Sequence, residues 1–166
     1  MLYTVSMISW VHYLIVFAVA VAVTVALVPA VRRLAVRVGA VDEPGPRRVN
    51  KKPIPRMGGL AIFFAFLIAV LCFAGIDREL RGILLGATII VVLGILDDIL
   101  TLKALPKFAV QIVAAVIAVL HGCRIEHFMG FRLATWLSYP VSVIWIVAIT
   151  NAVNFIDGLA RPLFCR

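Results

Sequence analysis

Charge is scarce in this chain, and negative charge most of all. Charged residues fill 14% of the 166 positions, and only eight of them are Asp or Glu. Soluble domains carry about 25% charged and roughly 45–50% apolar residues. Here 64% are hydrophobic and the mean hydropathy is +1.12. A water-soluble fold this small has too much surface for its volume to hide that excess. A soluble domain is therefore excluded, and the excess must face lipid. Cysteine is scarce too: Cys72, Cys123 and Cys165 are scattered and odd in number, which excludes a disulfide framework and a zinc site. No nucleotide-binding glycine-rich loop or Ser/His/Asp triad occurs. No Lys or Arg precedes the first apolar run, and that run is too long for a signal peptide.

What is present is a series of apolar runs. They predict an all-α, polytopic membrane helix bundle with about five transmembrane helices. The expected spans are 10–30, 58–75, 82–96, 105–120 and 134–150, in a single membrane domain with a polar loop at 31–57 and a tail at 151–166. The first run suffices to cross ~30 Å of hydrocarbon. Pro44, Gly45, Pro46, Pro53 and Pro55 exclude a continuous helix through the loop. Pro106 suits the first turn of the fourth helix. The IEHFMG segment at 125–130 reads as a hairpin, and Trp136, Tyr139 and Trp145 form an interfacial belt at the fifth span. His12 reads as an interfacial histidine.

The net charge is +8. Because the basic residues flank apolar runs, the excess points to topology rather than nucleic acid. Twelve Lys and Arg fall in segments 31–57, 97–107 and the tail, against Arg78, Arg81, Arg124 and Arg132 in the remaining loops. The positive-inside rule then places the N-terminus outside and the C-terminus in the cytoplasm.

With that topology, every polar constellation falls on one membrane face. Asp97 and Asp98 end an apolar run. Adjacent carboxylates at a helix C-terminus repel each other and oppose the helix dipole. They require either a cation such as Lys103 or a divalent metal, and Mg²⁺ commonly binds one or two carboxylates plus substrate phosphates. Asn151, Asn154 and Asp157 recur at i, i+3, i+6, one stripe of a helix. Gly158 then allows a turn or a close approach by phosphate. Lys103 and Lys107 are four apart and suit phosphate. Pro55-Arg56-Met57-Gly58-Gly59 puts a cation and exposed amides at a helix entrance, suited to an anion. Gln111, inside the fourth span, needs a partner on a neighbouring helix. His121 and His127 lie on the opposite face. Together these groups describe a magnesium-dependent phosphate site at the lipid–water boundary.

The segments DEPGPRRVNKKPIPRMGGLAIF, GILDDILTLKALPKFAVQ and NAVNFIDGL, in this order, resemble the polyprenyl-phosphate N-acetylhexosamine-1-phosphate transferases. The resemblance runs from about residue 10 to residue 159. PRMGG is more similar to the branch that starts teichoic acid, O-antigen or related envelope polymers than to the peptidoglycan-precursor branch. The resemblance implies transfer of a sugar 1-phosphate from a UDP-N-acetylhexosamine, foremost UDP-N-acetylglucosamine, to undecaprenyl or decaprenyl phosphate. UMP is released and Mg²⁺ or Mn²⁺ is required. It further implies a bacterial cytoplasmic membrane, an active face toward the cytoplasm, and compatibility with a homodimer. Asp97, Asp98 and Asp157 take the catalytic positions, and Asn154 joins Asp97 and Asp98 as a metal ligand. Lys107 matches the lysine that follows the acidic pair in the family, and Lys103, Arg56 and Asn151 join it as substrate phosphate-binding residues on the strength of their own chemistry.

The sequence departs from the pattern in two places. Asn50 stands where the family commonly has His, and Ala160 stands where the family has a further acid. The family pattern continues into more spans, another metal-binding Asp and a His-bearing loop, so these 166 residues read as an N-terminal half that does not turn over alone. Two other readings compete. In a fragment of an ion-coupled transporter the acids would line an ion pathway and belong at mid-bilayer, whereas here they sit at span ends beside lysines. In a small membrane subunit without chemistry the same acids would be loop polarity.

Overall fold

Each apolar run becomes a helix. The computed structural model describes residues 2–42 and 54–164, with side chains over 10–41 and 55–156. The basic loop residues Arg47, Arg48, Lys51 and Lys52, together with Pro44, Pro46, Asn50 and Pro53, lie outside the described residues. Five helices follow in order: α1 Leu2–Arg37, α2 Gly58–Phe73, α3 Arg78–Leu100, α4 Ala104–Leu120 and α5 Thr135–Phe164. Short strands β1 Val41–Asp42 and β2 Ile54–Pro55 pair with each other, as do β3 His127–Phe128 and β4 Phe131–Arg132. The chain is an all-α membrane bundle. Trp10–Arg37, Arg78–Leu100 and Thr135–Ile156 are long and apolar enough to cross a bilayer, while α2 and α4 are shorter apolar helices.

Helix boundaries overrun the apolar runs. α1 has 36 residues and carries Arg32, Arg33 and Arg37 within its last turns; at 1.5 Å per residue it is ~54 Å long, well beyond the hydrocarbon thickness. α3 continues past the end of its apolar run and takes Asp97 and Asp98 into its final turn. α5 runs unbroken through Asn151, Asn154, Asp157 and Gly158 to Phe164, so Gly158 is helical and makes no turn.

The chain divides into two compact units. In Met1–Ala40 with Pro55–Ile76, α2 buries Ala61, Ala65 and Ala69, a four-residue repeat of small side chains of the kind that lets membrane helices approach closely. Among the described side chains of α1, Val31 and Ala35 are buried. The N–H of Arg56 donates to the Ala40 carbonyl at 2.9 Å, and Met57 enters α2 at φ +69°. An apolar groove of about 640 Å³ is lined by residues that include His12, Phe17, Thr24, Phe66 and Phe73. The His12 and Phe73 rings meet edge-on there at 6.0 Å.

In Val41–Ile54 with Asp77–Arg166, α4 packs against both α3 and α5. α3 begins with a side-chain cap, Asp77 Oδ1 accepting the Leu80 N–H at 2.7 Å. Gly82 and Gly86 are both buried. A Cβ at Gly82 would collide with His121, and one at Gly86 would lie 3.1 Å from the Ala114 carbonyl oxygen. This small-xxx-small pair faces the buried Ala114 and Ala118 of α4, and van der Waals contact at short range holds such helices together in lipid. Between α4 and α5, the IEHFMG hairpin forms as expected. His127 pairs with Arg132 and Phe128 with Phe131, and Met129 and Gly130 have φ +50° and +86°, the signs of a type I′ turn. Ser138 and Ser142, both buried, pin this loop to α5. Ser138 donates to the Ile125 carbonyl and the Ile125 N–H donates to Ser142 Oγ, each at 2.7 Å.

Candidate functional site

The acidic pair is held by the turn that ends its own helix. Thr101 adopts the left-handed conformation at φ +47°, and its N–H donates to the Asp97 carbonyl at 2.9 Å. That turn aims the next amide at the side chain, and the Leu102 N–H donates to Asp97 Oδ1 at 3.0 Å. The other carboxylate oxygen, Oδ2, accepts from Lys107 Nζ at 3.0 Å. Both partners are 34% exposed, and Asp98 is half-buried beside them. The dipole and like-charge conflict expected at this helix end is relieved by Lys107 one turn into α4. Lys103, which the sequence alone offered as the neutralising cation, is instead the exposed cap residue preceding α4.

One turn further along α4, Gln111 is 5% exposed. It accepts a hydrogen bond at Oε1 from Asn151 Nδ2 of α5 at 2.7 Å. Asn151 Nδ2 also donates to the Val147 carbonyl at 2.8 Å. A carbonyl oxygen only accepts, so the Asn151 atom facing Val147 must be nitrogen, and the Gln111 atom facing that nitrogen must be oxygen. The orientations of both amides follow. Gln111 thus has the neighbouring-helix partner its burial demands. Asn151 serves the helix–helix interface through its amide nitrogen and keeps Oδ1 as an acceptor.

Lys107 and Gln111 are four residues apart and share a face of α4. Lys107 reaches α3 and Gln111 reaches α5, so one stripe of α4 carries a polar seam across three helices. The seam lies at one end of this unit: Asp97 near the end of α3 meets Lys107 near the start of α4, whereas Gly82 near the start of α3 meets His121 beyond the end of α4. His121 is therefore remote from the acidic pair, as the sequence implied. Asn154 lies on α5 three residues past Asn151 and is exposed. Asp157 is on the same helix, with its side chain outside the described residues. Arg56 belongs to the other compact unit. Among the described residues no group of three or more His, Cys, Asp or Glu side chains could hold a metal ion by itself. The Leu102 amide had no signal in the sequence, because backbone donors become specific only when a turn aims them.

Comparison with known proteins agrees with the motifs. The profile of glycosyl transferase family 4 matches residues 80–160. The chain is 43% identical over 157 residues to the probable undecaprenyl-phosphate N-acetylglucosaminyl 1-phosphate transferase of Bacillus subtilis (strain 168), covering 90% of this chain and 43% of that protein. It is 37% identical over 145 residues to the decaprenyl-phosphate N-acetylglucosaminephosphotransferase of Mycolicibacterium smegmatis, covering 78% and 36%. It is 34% identical over 152 residues to the phospho-N-acetylmuramoyl-pentapeptide-transferase of Heliobacterium modesticaldum, covering 80% and 47%. The chain thus spans less than half the length of these relatives. Comparison with solved structures gives no match. With relatives aligned over most of its length and a family profile that takes in the acidic pair of α3, Lys107 of α4 and Asn154 and Asp157 of α5, the chain belongs to glycosyl transferase family 4.

Proposed function

We propose that the protein transfers N-acetylglucosamine 1-phosphate from UDP-N-acetylglucosamine to a polyprenyl phosphate, releasing UMP. The proposed setting is the cytoplasmic face of a bacterial inner membrane, with Mg²⁺ or Mn²⁺ as cofactor. The observation that carries this reading is the α4 seam, where a carboxylate, a lysine and two amides from three helices converge at the end of an apolar bundle. The substrate classes come from the relatives, which are named as N-acetylglucosamine 1-phosphate transferases acting on undecaprenyl or decaprenyl phosphate. An apolar bundle with its charged groups at helix ends suits a substrate whose phosphate is in water and whose tail is in lipid. A transporter reading places acids within the span, and here Asp97 and Asp98 occupy the last turn of α3.

The reaction joins two anions. A lipid phosphate oxygen forms a bond to the β-phosphorus of the UDP-sugar, and the bond from that phosphorus to the bridging oxygen breaks, so that UMP leaves with that oxygen. Lys107 and Lys103 offset the repulsion between the phosphates. Asp97 and Asp98, with Asn154 and Asp157 of α5, are hard oxygen donors of the kind Mg²⁺ takes. Among the described residues no three acidic side chains gather into a cage, and the Asp157 side chain is not one of those described. When bound, the ion neutralises charge developing on the leaving phosphate. Asn151, locked to Gln111, holds α5 in register with α4.

The 166 residues alone are expected to be inactive, so the test is label transfer in membranes where they are joined to the C-terminal part of the Bacillus subtilis relative. Label from UDP-N-acetylglucosamine should enter a butanol-extractable lipid with UMP released in equal amount. Incorporation should require Mg²⁺ or Mn²⁺ and be lost in Asp98→Asn and Asp157→Asn. No incorporation from any UDP-N-acetylhexosamine would overturn the proposal while leaving family membership intact.

A further inference from the structure

We infer that the Asp97–Lys107 ion pair is a latch that couples the two ligands of the site, so that a divalent cation and a phosphate monoester each make room for the other. The inference rests on the functional reading above and deepens it. Both oxygens of the Asp97 carboxylate are engaged, Oδ1 by the Leu102 amide and Oδ2 by Lys107 Nζ, each at 3.0 Å. The Leu102 contact is fixed by the backbone turn at Thr101. The Lys107 contact is made by a flexible side chain that is one-third exposed, so it is the one that can yield.

A cation approaching Oδ2 meets the lysine already there, and a phosphate approaching Lys107 meets a lysine already neutralised by Asp97. Each ligand alone must break the pair and leave one charged partner without its counterion. When both bind, the pair is exchanged for two new ones, Asp97 with the cation and Lys107 with the phosphate, and no charge is left unmatched. Coupling of this kind is reciprocal, since the factor by which phosphate tightens the cation equals the factor by which the cation tightens phosphate. At rest the lysine closes the acid, which disfavours stray cation binding when substrate is absent.

The experiment follows Mn²⁺ binding to the full 166-residue chain in nanodiscs by electron paramagnetic resonance. Measurements are made alone, with inorganic phosphate, and with farnesyl phosphate. The wild type should bind Mn²⁺ weakly alone and at least fivefold more tightly with a phosphate ligand, within the range usual for coupled sites. Whichever probe acts at lower concentration identifies the source as free phosphate or lipid headgroup. Lys107→Met should bind Mn²⁺ alone about as tightly as the wild type does with phosphate, and phosphate should then add little. Lys107→Arg, which preserves the pair, should keep the wild-type pattern and guards against misfolding as the cause. Equal tightening by phosphate in wild type and Lys107→Met would overturn the latch, because the phosphate would then act by bridging the metal directly. Unchanged Mn²⁺ affinity in Lys107→Met would overturn it as well. A wild type that binds no Mn²⁺ under any of the three conditions would overturn the functional reading of the site, and the latch with it.

Discussion

Asn151 of α5 and Gln111 of α4 are joined by a 2.7 Å hydrogen bond across the helix interface, and the buried glutamine depends on it. Interhelical hydrogen bonds in membrane proteins average about 0.6 kcal/mol and reach about 1.7. Gln111→Leu and Asn151→Ala should each destabilise the bundle by ~0.5–2 kcal/mol, and the double variant should cost less than the sum. Gln111→Glu, which keeps the acceptor, should retain more of the coupling. Reversible unfolding in mixed micelles, read as a double-mutant cycle, gives the number directly. Additive losses would show that the bond contributes nothing.

Close approach of α3 to α4 depends on Gly82 and Gly86, while nothing lies within 4 Å of a Cβ built at Gly94. Gly86→Leu should push the helices apart at a cost of ~1–3 kcal/mol, the usual range for overpacking. Gly94→Ala on the same helix should change stability by less than ~1 kcal/mol, since it fills open space and adds helix propensity. Protease resistance of the α3–α4 pair in nanodiscs separates the two, with Gly86→Leu cleaved first.

Asp97 should matter far more to ligand binding than to folding. Its ion pair is one-third exposed on both sides, and pairs of that kind contribute about 0–1 kcal/mol. Asp97→Asn should therefore shift the unfolding midpoint only slightly while abolishing Mn²⁺ binding. A large loss of stability with Mn²⁺ binding intact would mark Asp97 as a structural cap.

The loop between α4 and α5 is tied down by Ser142, which accepts from the Ile125 amide and donates to the Ser138 carbonyl at 2.6 Å. Ser142→Ala strands that half-buried amide, and the cost should fall toward the low end of the ~1–3 kcal/mol of a buried donor without a partner. Hydrogen exchange at Ile125 should accelerate by at least tenfold. Exchange at Asp97 and Leu102, at the other end of the unit, should not change.

Burial pushes the Cys123 thiol above its ordinary range, and the carboxylates of Glu79 and Asp77 push it further. Only the thiolate reacts, so a raised value slows alkylation at neutral pH. In a chain with Cys72 and Cys165 replaced by Ser, iodoacetamide should label Cys123 more slowly than free glutathione at pH 8, with the gap narrowing as pH rises. Glu79→Gln removes one of the two carboxylates and should speed labelling at pH 8.

Hydropathy alone determined that this is a membrane helix bundle, because lipid leaves the backbone few alternatives to helices and an apolar run of sufficient length has one sensible use. The motif residues were legible for a related reason. Asp97, Asp98, Asn154 and Asp157 are polar groups that an apolar chain carries only at a cost, so each one stands out. Gln111 could be assigned a partner by the same reasoning, although the sequence could not say which helix would supply it.

Tertiary structure decided the pairings. Lys103 and Lys107 are equivalent cations on paper, and only the crossing of α3 with α4 gives Asp97 to Lys107. Polar residues continue the helices beyond the apolar runs: α3 keeps Asp97 and Asp98, and α5 keeps Gly158, because hydrogen bonding along the helix persists after hydropathy falls. The Thr101 turn that aims the Leu102 amide and the glycine pair that brings α3 against α4 leave weak traces in composition. Their meaning depends on what lies opposite, which a one-dimensional pattern does not contain.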